Sequence, residues 1–212
     1  MNWHELYHQD FLKIRQNSVD VVELAENPTT TIKKISFTFP GTIYEFNAKK
    51  LNLNGLLNDG IRLCDDKSLC AICDGIILFK KDDKWFLIIC ELKSGIGSNT
   101  YKKIIAQLEA GLLKSKLFLE LVKDFDENNM GLLAFIVTNK NDERILASQR
   151  ALNVGCPDNF DYNNLMVKKT INKLTDTLMK DLPIKDKFRL IDSKMYLIEG
   201  DAQTVNLDTY LS

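Results

Sequence analysis

Residues 73–94 read Cys73-Asp-Gly-Ile-Ile-Leu-Phe-Lys-Lys-Asp-Asp-Lys-Trp-Phe-Leu-Ile-Ile-Cys-Glu-Leu-Lys-Ser94, and this stretch decides the fold. Two apolar runs, Gly75–Phe79 and Trp85–Cys90, flank a polar tetrapeptide, Lys81–Lys84. That pattern predicts two β-strands joined by a tight turn. With Asp82 and Asp83 as the loop residues, Lys81 faces Lys84, and counting back brings Asp74 opposite Glu91. Side chains alternate along a strand, so Lys93 falls on the same face as Glu91. Facing residues hold their Cβ atoms roughly 4.5–5.5 Å apart, close enough for two carboxylates to share a divalent cation. Two acids and a lysine at the end of an otherwise apolar hairpin are costly without a partner.

The chain has 212 residues, 45% hydrophobic and 27% charged, which fits one soluble domain (1–212, core about 70–140) and not two. No apolar run approaches the roughly 20 residues of a membrane span. Met1–His8 has neither the basic start nor the apolar centre of a secretion signal, so a cytoplasmic protein is expected. A net charge of −1 excludes a basic nucleic-acid coat; any such contact needs a local patch or bound metal ions. The five cysteines (64, 70, 73, 90 and 156) read as free thiols. Cys70 and Cys73 have the spacing of half a zinc knuckle but lack a second pair, and Cys90 should be core.

Outward from the hairpin, Trp3, Leu6, Tyr7, Phe11 and Ile14 predict an amphipathic helix over Trp3–Gln16. His4 and His8 share one face of it, without a third metal ligand nearby. Val19–Glu26 extends this helix or forms a second, ended by Asn27-Pro28. Thr30–Phe39 and Ile43–Phe46 read as a hairpin turning at Pro40-Gly41. Residues 49–66 read as a polar loop with one short helix. Beyond Ser94–Asn99, a connector ending in helix-capping residue types, Tyr101–Phe125 reads as a long helix buried along Ile104, Ile105, Leu108, Leu112, Leu119 and Val122. Lys103, Gln107, Gly111 and Lys114 line another face of it. Gly131–Thr138 is continuously apolar, so strand, helix and strand form a right-handed βαβ unit with central parallel strands. A polar connection carrying a short helix at 142–151, a helix over Leu165–Leu182, and a hairpin of Lys187–Ile191 with Met195–Glu199 turning at Asp192-Ser193 complete an α/β domain.

Asp74 and Glu91, with the backbone carbonyl of Leu92 between Glu91 and Lys93, offer only oxygen donors, which suit Mg²⁺ or Mn²⁺ and not zinc. A metal so held keeps open positions for water and a phosphate oxygen. Lys93 beside it could orient or deprotonate the water, or offset charge on the phosphorane. The parts suit phosphodiester hydrolysis. An aspartate opening one strand and Glu-x-Lys closing the next, here Asp74 and Glu91-Leu92-Lys93, resembles the PD-(D/E)XK nuclease superfamily. Its RecB-like and λ-exonuclease-like branches carry a glutamine on the following helix, matched by Gln107; Gly111 stands where that branch often has an aromatic. Many members add an acidic metal ligand on an early helix, for which Glu23 and Glu26 are the candidates.

The resemblance implies a restriction-endonuclease-like core, a central mixed β-sheet flanked by helices. It further implies a metal-dependent nuclease with catalytic Asp74, Glu91, Lys93 and Gln107, acting on DNA more than RNA, in defence, DNA repair or recombination. Lys102, Lys103 and Lys114 on the long helix are the nucleic-acid-binding candidates; lysines there are also what a solvated helix face carries. Near-neutral charge and small size imply a homodimer or a second protein subunit to complete the grip, and no membrane partner. The rival reading keeps the fold with an idle site, as a subunit that binds nucleic acid or a partner protein.

Overall fold

The computed structural model of the chain describes residues 5, 7–22, 34–51, 62–63, 67–68, 72–120, 130–138, 160–172, 191–200 and 204–211. In chain order these form strands β1 (Leu12–Val22) and β2 (Lys34–Phe46), helix α1 (Ala48–Leu51), a two-stranded piece of β3 (Arg62–Leu63) with β4 (Lys67–Ser68), then β5 (Gly75–Lys81) and β6 (Lys84–Lys93). Helix α2 (Ser98–Leu119), β7 (Met130–Thr138), helix α3 (Phe160–Lys168), β8 (Thr170–Asn172), β9 (Ile191–Glu199) and β10 (Thr204–Asn206) follow, then a 3-10 turn, Leu207–Tyr210. The architecture is mixed α/β: an open sheet in the order β1-β2-β5-β6-β7-β9-β8, with β10 alongside β2.

The apolar runs 75–79 and 85–90 pair as expected. Lys81 faces Lys84 and the ladder runs to Gly75 opposite Cys90. Asp82 and Asp83 sit at φ +48° and +64°, the left-handed pair of a two-residue turn whose twist matches the strands it joins. Strand β7 lies parallel to β6 across α2, so the βαβ unit also stands, and every residue of β7 is buried. Ser98, Asn99 and Thr100 lie within the first turn of α2, whose start at Gly97 has no side-chain cap.

The outer elements depart from the sequence-based expectations. The helices expected over Trp3–Gln16 and Val19–Glu26 are overturned where the structure describes them, because residues 12–22 are strand β1. Val19 and Val21 alternate inward, while Lys13–Ser18 are exposed; the charges suit an edge strand. Tyr7 and Phe11, two of the five residues of the supposed helical stripe, instead pack under the far end of α2, with Phe11 4.7 Å from the Phe118 ring. The expected hairpin of Thr30–Phe39 and Ile43–Phe46 is, over the described residues, one continuous strand, Lys34–Phe46. Pro40-Gly41 forms a bulge opposite Asn17: Gln16 pairs with Thr42 and Ser18 with Thr38. Gly41 takes φ +139°, which favours glycine, and its N–H donates to Asn17 Oδ1 at 3.2 Å. The helix expected over Leu165–Leu182 is overturned where it is described: helix α3 starts earlier, at Phe160, and ends at Lys168, Lys169 turns at φ +59°, and residues 170–172 run antiparallel to β9. Asp192-Ser193 is likewise a bulge within β9 and not a turn, since Gly131 pairs with Ile191 and Leu133 with Lys194. The helix expected at 142–151, the strand at 187–190 and Val122 lie outside the described residues.

Two apolar layers cover the sheet. Ile76, Leu78, Leu87, Ile89, Ala134 and Ile136 pack against Ile104, Leu108 and Leu112 of α2 and Leu165 of α3. On the opposite face Phe37, Phe79, Ile88, Phe135 and Val137 meet Val205 and Leu207 of the C-terminal segment. Among the described residues no helix is long and apolar enough to cross a membrane.

Candidate active site

The turn fixes the register, and the register fixes the site. One step beyond the Gly75–Cys90 pair, Asp74 and Glu91 replace ladder bonds with side-chain bonds. Asp74 Oδ2 accepts the Leu92 N–H at 2.8 Å, and Glu91 Oε2 accepts the Asp74 N–H at 3.2 Å. Each carboxylate thus caps the other's strand, on the α2 side of the sheet that Ile76 and Ile89 share. A residue in an extended strand turns its carbonyl towards the same neighbour as its N–H, so the Leu92 carbonyl also faces the Asp74 side.

Asp74 is 8% exposed and Glu91 fully buried. Burial, then the charge of Asp74, pushes the Glu91 carboxyl up to about 8; the Lys93 ammonium pulls the other way without cancelling them. Lys93 Nζ touches Glu91 Oε1, yet that oxygen lacks a well-directed hydrogen bond. A cavity of about 260 Å³ opens beside Asp74, lined also by Lys13, Asp20, Glu45 and Asn47. A slightly larger one, about 310 Å³, lies at the turn end of the hairpin, away from the carboxylates.

Gln107 sits on the face of α2 that meets this end of the hairpin. Its Nε2 donates to the Ile72 carbonyl at 3.3 Å, so it braces the segment leading into Asp74. Gly111, one turn further, allows α2 to press on Cys73: a Cβ there would lie 2.5 Å from the Cys73 sulfur. An aromatic at this position has no room. Burial and the two carboxylates push the Cys73 thiol well up, and burial does the same to Cys90, so both are inert core thiols. Cys70 lies outside the described residues, as do His4, Glu23 and Glu26.

Lys102 and Lys103 are exposed on α2, as a nucleic-acid contact requires. Lys114 is not: it is fully buried, and Lys116 nearly so. Of the expected line, Lys103 is exposed, Gln107 half-buried, and Gly111 and Lys114 buried, because the second half of α2 is covered on more of its circumference than its apolar stripe implies. Among the described residues no group of three or more His, Cys, Asp or Glu side chains converges as a metal cage; two carboxylates stand here.

The parallel register reveals a residue with no sequence signal. Lys93 pairs with Thr138 on β7, and Thr138 with Glu199 on β9, all pointing to the α2 side at the carboxyl ends of parallel strands. Thr138 is fully buried and its Oγ1 has no hydrogen-bond partner among the described residues, while Glu199 pairs with Lys169 at 2.6 Å. Read along the chain, Thr138 is merely where an apolar run stops. No protein-family model, curated protein or solved structure matches this chain.

Proposed function

We propose that the protein is a Mg²⁺- or Mn²⁺-dependent nuclease that hydrolyses phosphodiester bonds, DNA in preference to RNA, on a restriction-endonuclease-like core of the PD-(D/E)XK kind. One observation carries the reading: two buried carboxylates from facing strands meet beside a lysine where the hairpin ends. The closeness of two buried carboxyl groups, Asp74 raising the Glu91 carboxyl, is what a bound cation would relieve, so the residues fit one. Asp74, Glu91 and the Leu92 carbonyl would hold it, and the ion would supply a more acidic water and charge compensation on phosphate. Lys93, 21% exposed at the rim, places the positive charge that orients the water or steadies the charged phosphate. Gln107 keeps the Asp74 segment in place through Ile72. Lys102 and Lys103 would meet the nucleic-acid backbone, with a second copy or another subunit completing the grip.

Plasmid, linear and single-stranded DNA and RNA, each incubated with Mg²⁺, Mn²⁺ or EDTA, test this. Cleavage should need the metal and fall roughly 10²-fold or more in Glu91→Ala and Lys93→Ala. Metal-independent cleavage, or equal cleavage by the variants, overturns it. The full burial of Glu91 against Lys93 favours a second reading, an idle nuclease-fold subunit that holds nucleic acid or a protein partner. Binding of DNA without cleavage under every metal condition would select that reading.

A further inference from the structure

We propose that Thr138 is a positioning residue, a second seat for the Lys93 ammonium. Without a cation the ammonium rests on Glu91; when a divalent cation neutralises the Asp74–Glu91 pair, it moves to the Thr138 hydroxyl. The inference rests on the metal-dependent reading above and adds a residue that the resemblance does not supply.

Among the described residues, Glu91 Oε1 and Thr138 Oγ1 are buried oxygens at this end of the sheet without a directed hydrogen bond. Both point to the α2 side, and Lys93 stands between them: two residues along β6 from Glu91, and directly across from Thr138 on β7. Neighbouring strands lie about 4.8 Å apart, within reach of a lysine's flexible four-carbon stem. A cation and an ammonium cannot share one carboxylate without repulsion, so loading the acids displaces Lys93. An ammonium has three donors and no acceptor, and this one, four-fifths buried, is best served by a protein oxygen on the inner side. Among the described residues the Thr138 hydroxyl is a nearby oxygen whose lone pairs are unused. A buried hydroxyl with no partner costs stability, which is the pattern of a group kept for another state. Glu199, next in the row, cannot take this part because Lys169 already holds it.

Thr138→Val removes the hydroxyl and keeps the shape, while Thr138→Ser keeps the hydroxyl and removes the methyl. The measurements are Mn²⁺ binding by calorimetry, Tm without metal, and kcat and KM for DNA cleavage. Thr138→Val should keep or raise the metal-free Tm, by roughly 2–4 °C for a chain of this size. It should weaken Mn²⁺ binding roughly tenfold and lower kcat more than it changes KM. Thr138→Ser should recover Mn²⁺ binding and kcat. Wild-type binding of Mn²⁺ with Thr138→Val unchanged overturns the seat alone. So does equal loss in both variants together with a lowered Tm, which would make Thr138 a packing residue. Absence of Mn²⁺ binding by the wild-type protein overturns the reading of Asp74 and Glu91, and the seat with it.

Discussion

At the scale of the residue, the carboxyl of Glu91 is the group most out of keeping with its surroundings. Its ordinary value of 4.5 is raised to about 8 by burial and by Asp74. Between those two values the folded chain keeps the Glu91 proton and the unfolded chain has lost it. The unfolded state then binds fewer protons, so stability falls as pH rises. The contribution is complete below about 4.5 and gone above about 8. We predict that Tm declines between pH 5 and pH 8 in metal-free protein, and that Glu91→Gln, neutral throughout, flattens much of that decline. A Glu91→Gln profile as steep as wild type would place the titration elsewhere. The pair itself was legible in the sequence because the turn contains two residues and strand periodicity does the rest. Thr138 was not, because the offset between β6 and β7 depends on a crossover whose packing no local pattern records.

At the scale of the element, the hairpin of β5 and β6 transmits the geometry of its turn to the acids. Its two left-handed turn residues are aspartates, which tolerate that region less well than glycine. The Lys80–Asp83 ion pair at 2.9 Å is highly exposed and contributes little. We expect Asp82→Asn with Asp83→Gly to stabilise the protein by about 1 kcal/mol, seen as a higher denaturant midpoint at unchanged slope. The carboxylates lie seven strand steps away, on the order of 23 Å, so Mn²⁺ binding should be unaltered. Destabilisation by this pair of changes would mean that the aspartates do more than turn the chain. The same element shows why the centre of the fold was readable and its margins were not. Strands β5, β6 and β7 are apolar on both faces and bounded by polar residues, a pattern helices of this length do not share. Strand β1 is an edge, so only Val19 and Val21 carry the alternation, and Tyr7 and Phe11 ahead of it imitate a helical stripe. Pro40-Gly41 and Asp192-Ser193 have turn composition, but tertiary pairing on both sides holds each as a bulge.

At the scale of the whole molecule, the sheet has two faces and needs a cover for each. Helices α2 and α3 cover the face that carries the acids; the C-terminal segment covers much of the other. Strand β10 joins β2 in parallel, and the 3-10 turn after it places Leu207, fully buried, among Phe37 and its neighbours. Tyr210 closes the layer, edge-on to Phe135 at 5.1 Å and to Tyr196 at 4.7 Å. A chain of this size has a total stability of about 5–15 kcal/mol, and deleting a buried leucine side chain costs about 2–5 kcal/mol. Leu207→Ala should therefore remove about 2–5 kcal/mol of that margin, read as a fall in denaturant midpoint. It lies across the sheet from Asp74 and Glu91, so Mn²⁺ affinity of the remaining folded protein should stay near wild type, whereas Thr138→Val should show the reverse. A loss below 1 kcal/mol would mean that the last strand rests on the sheet without completing its core.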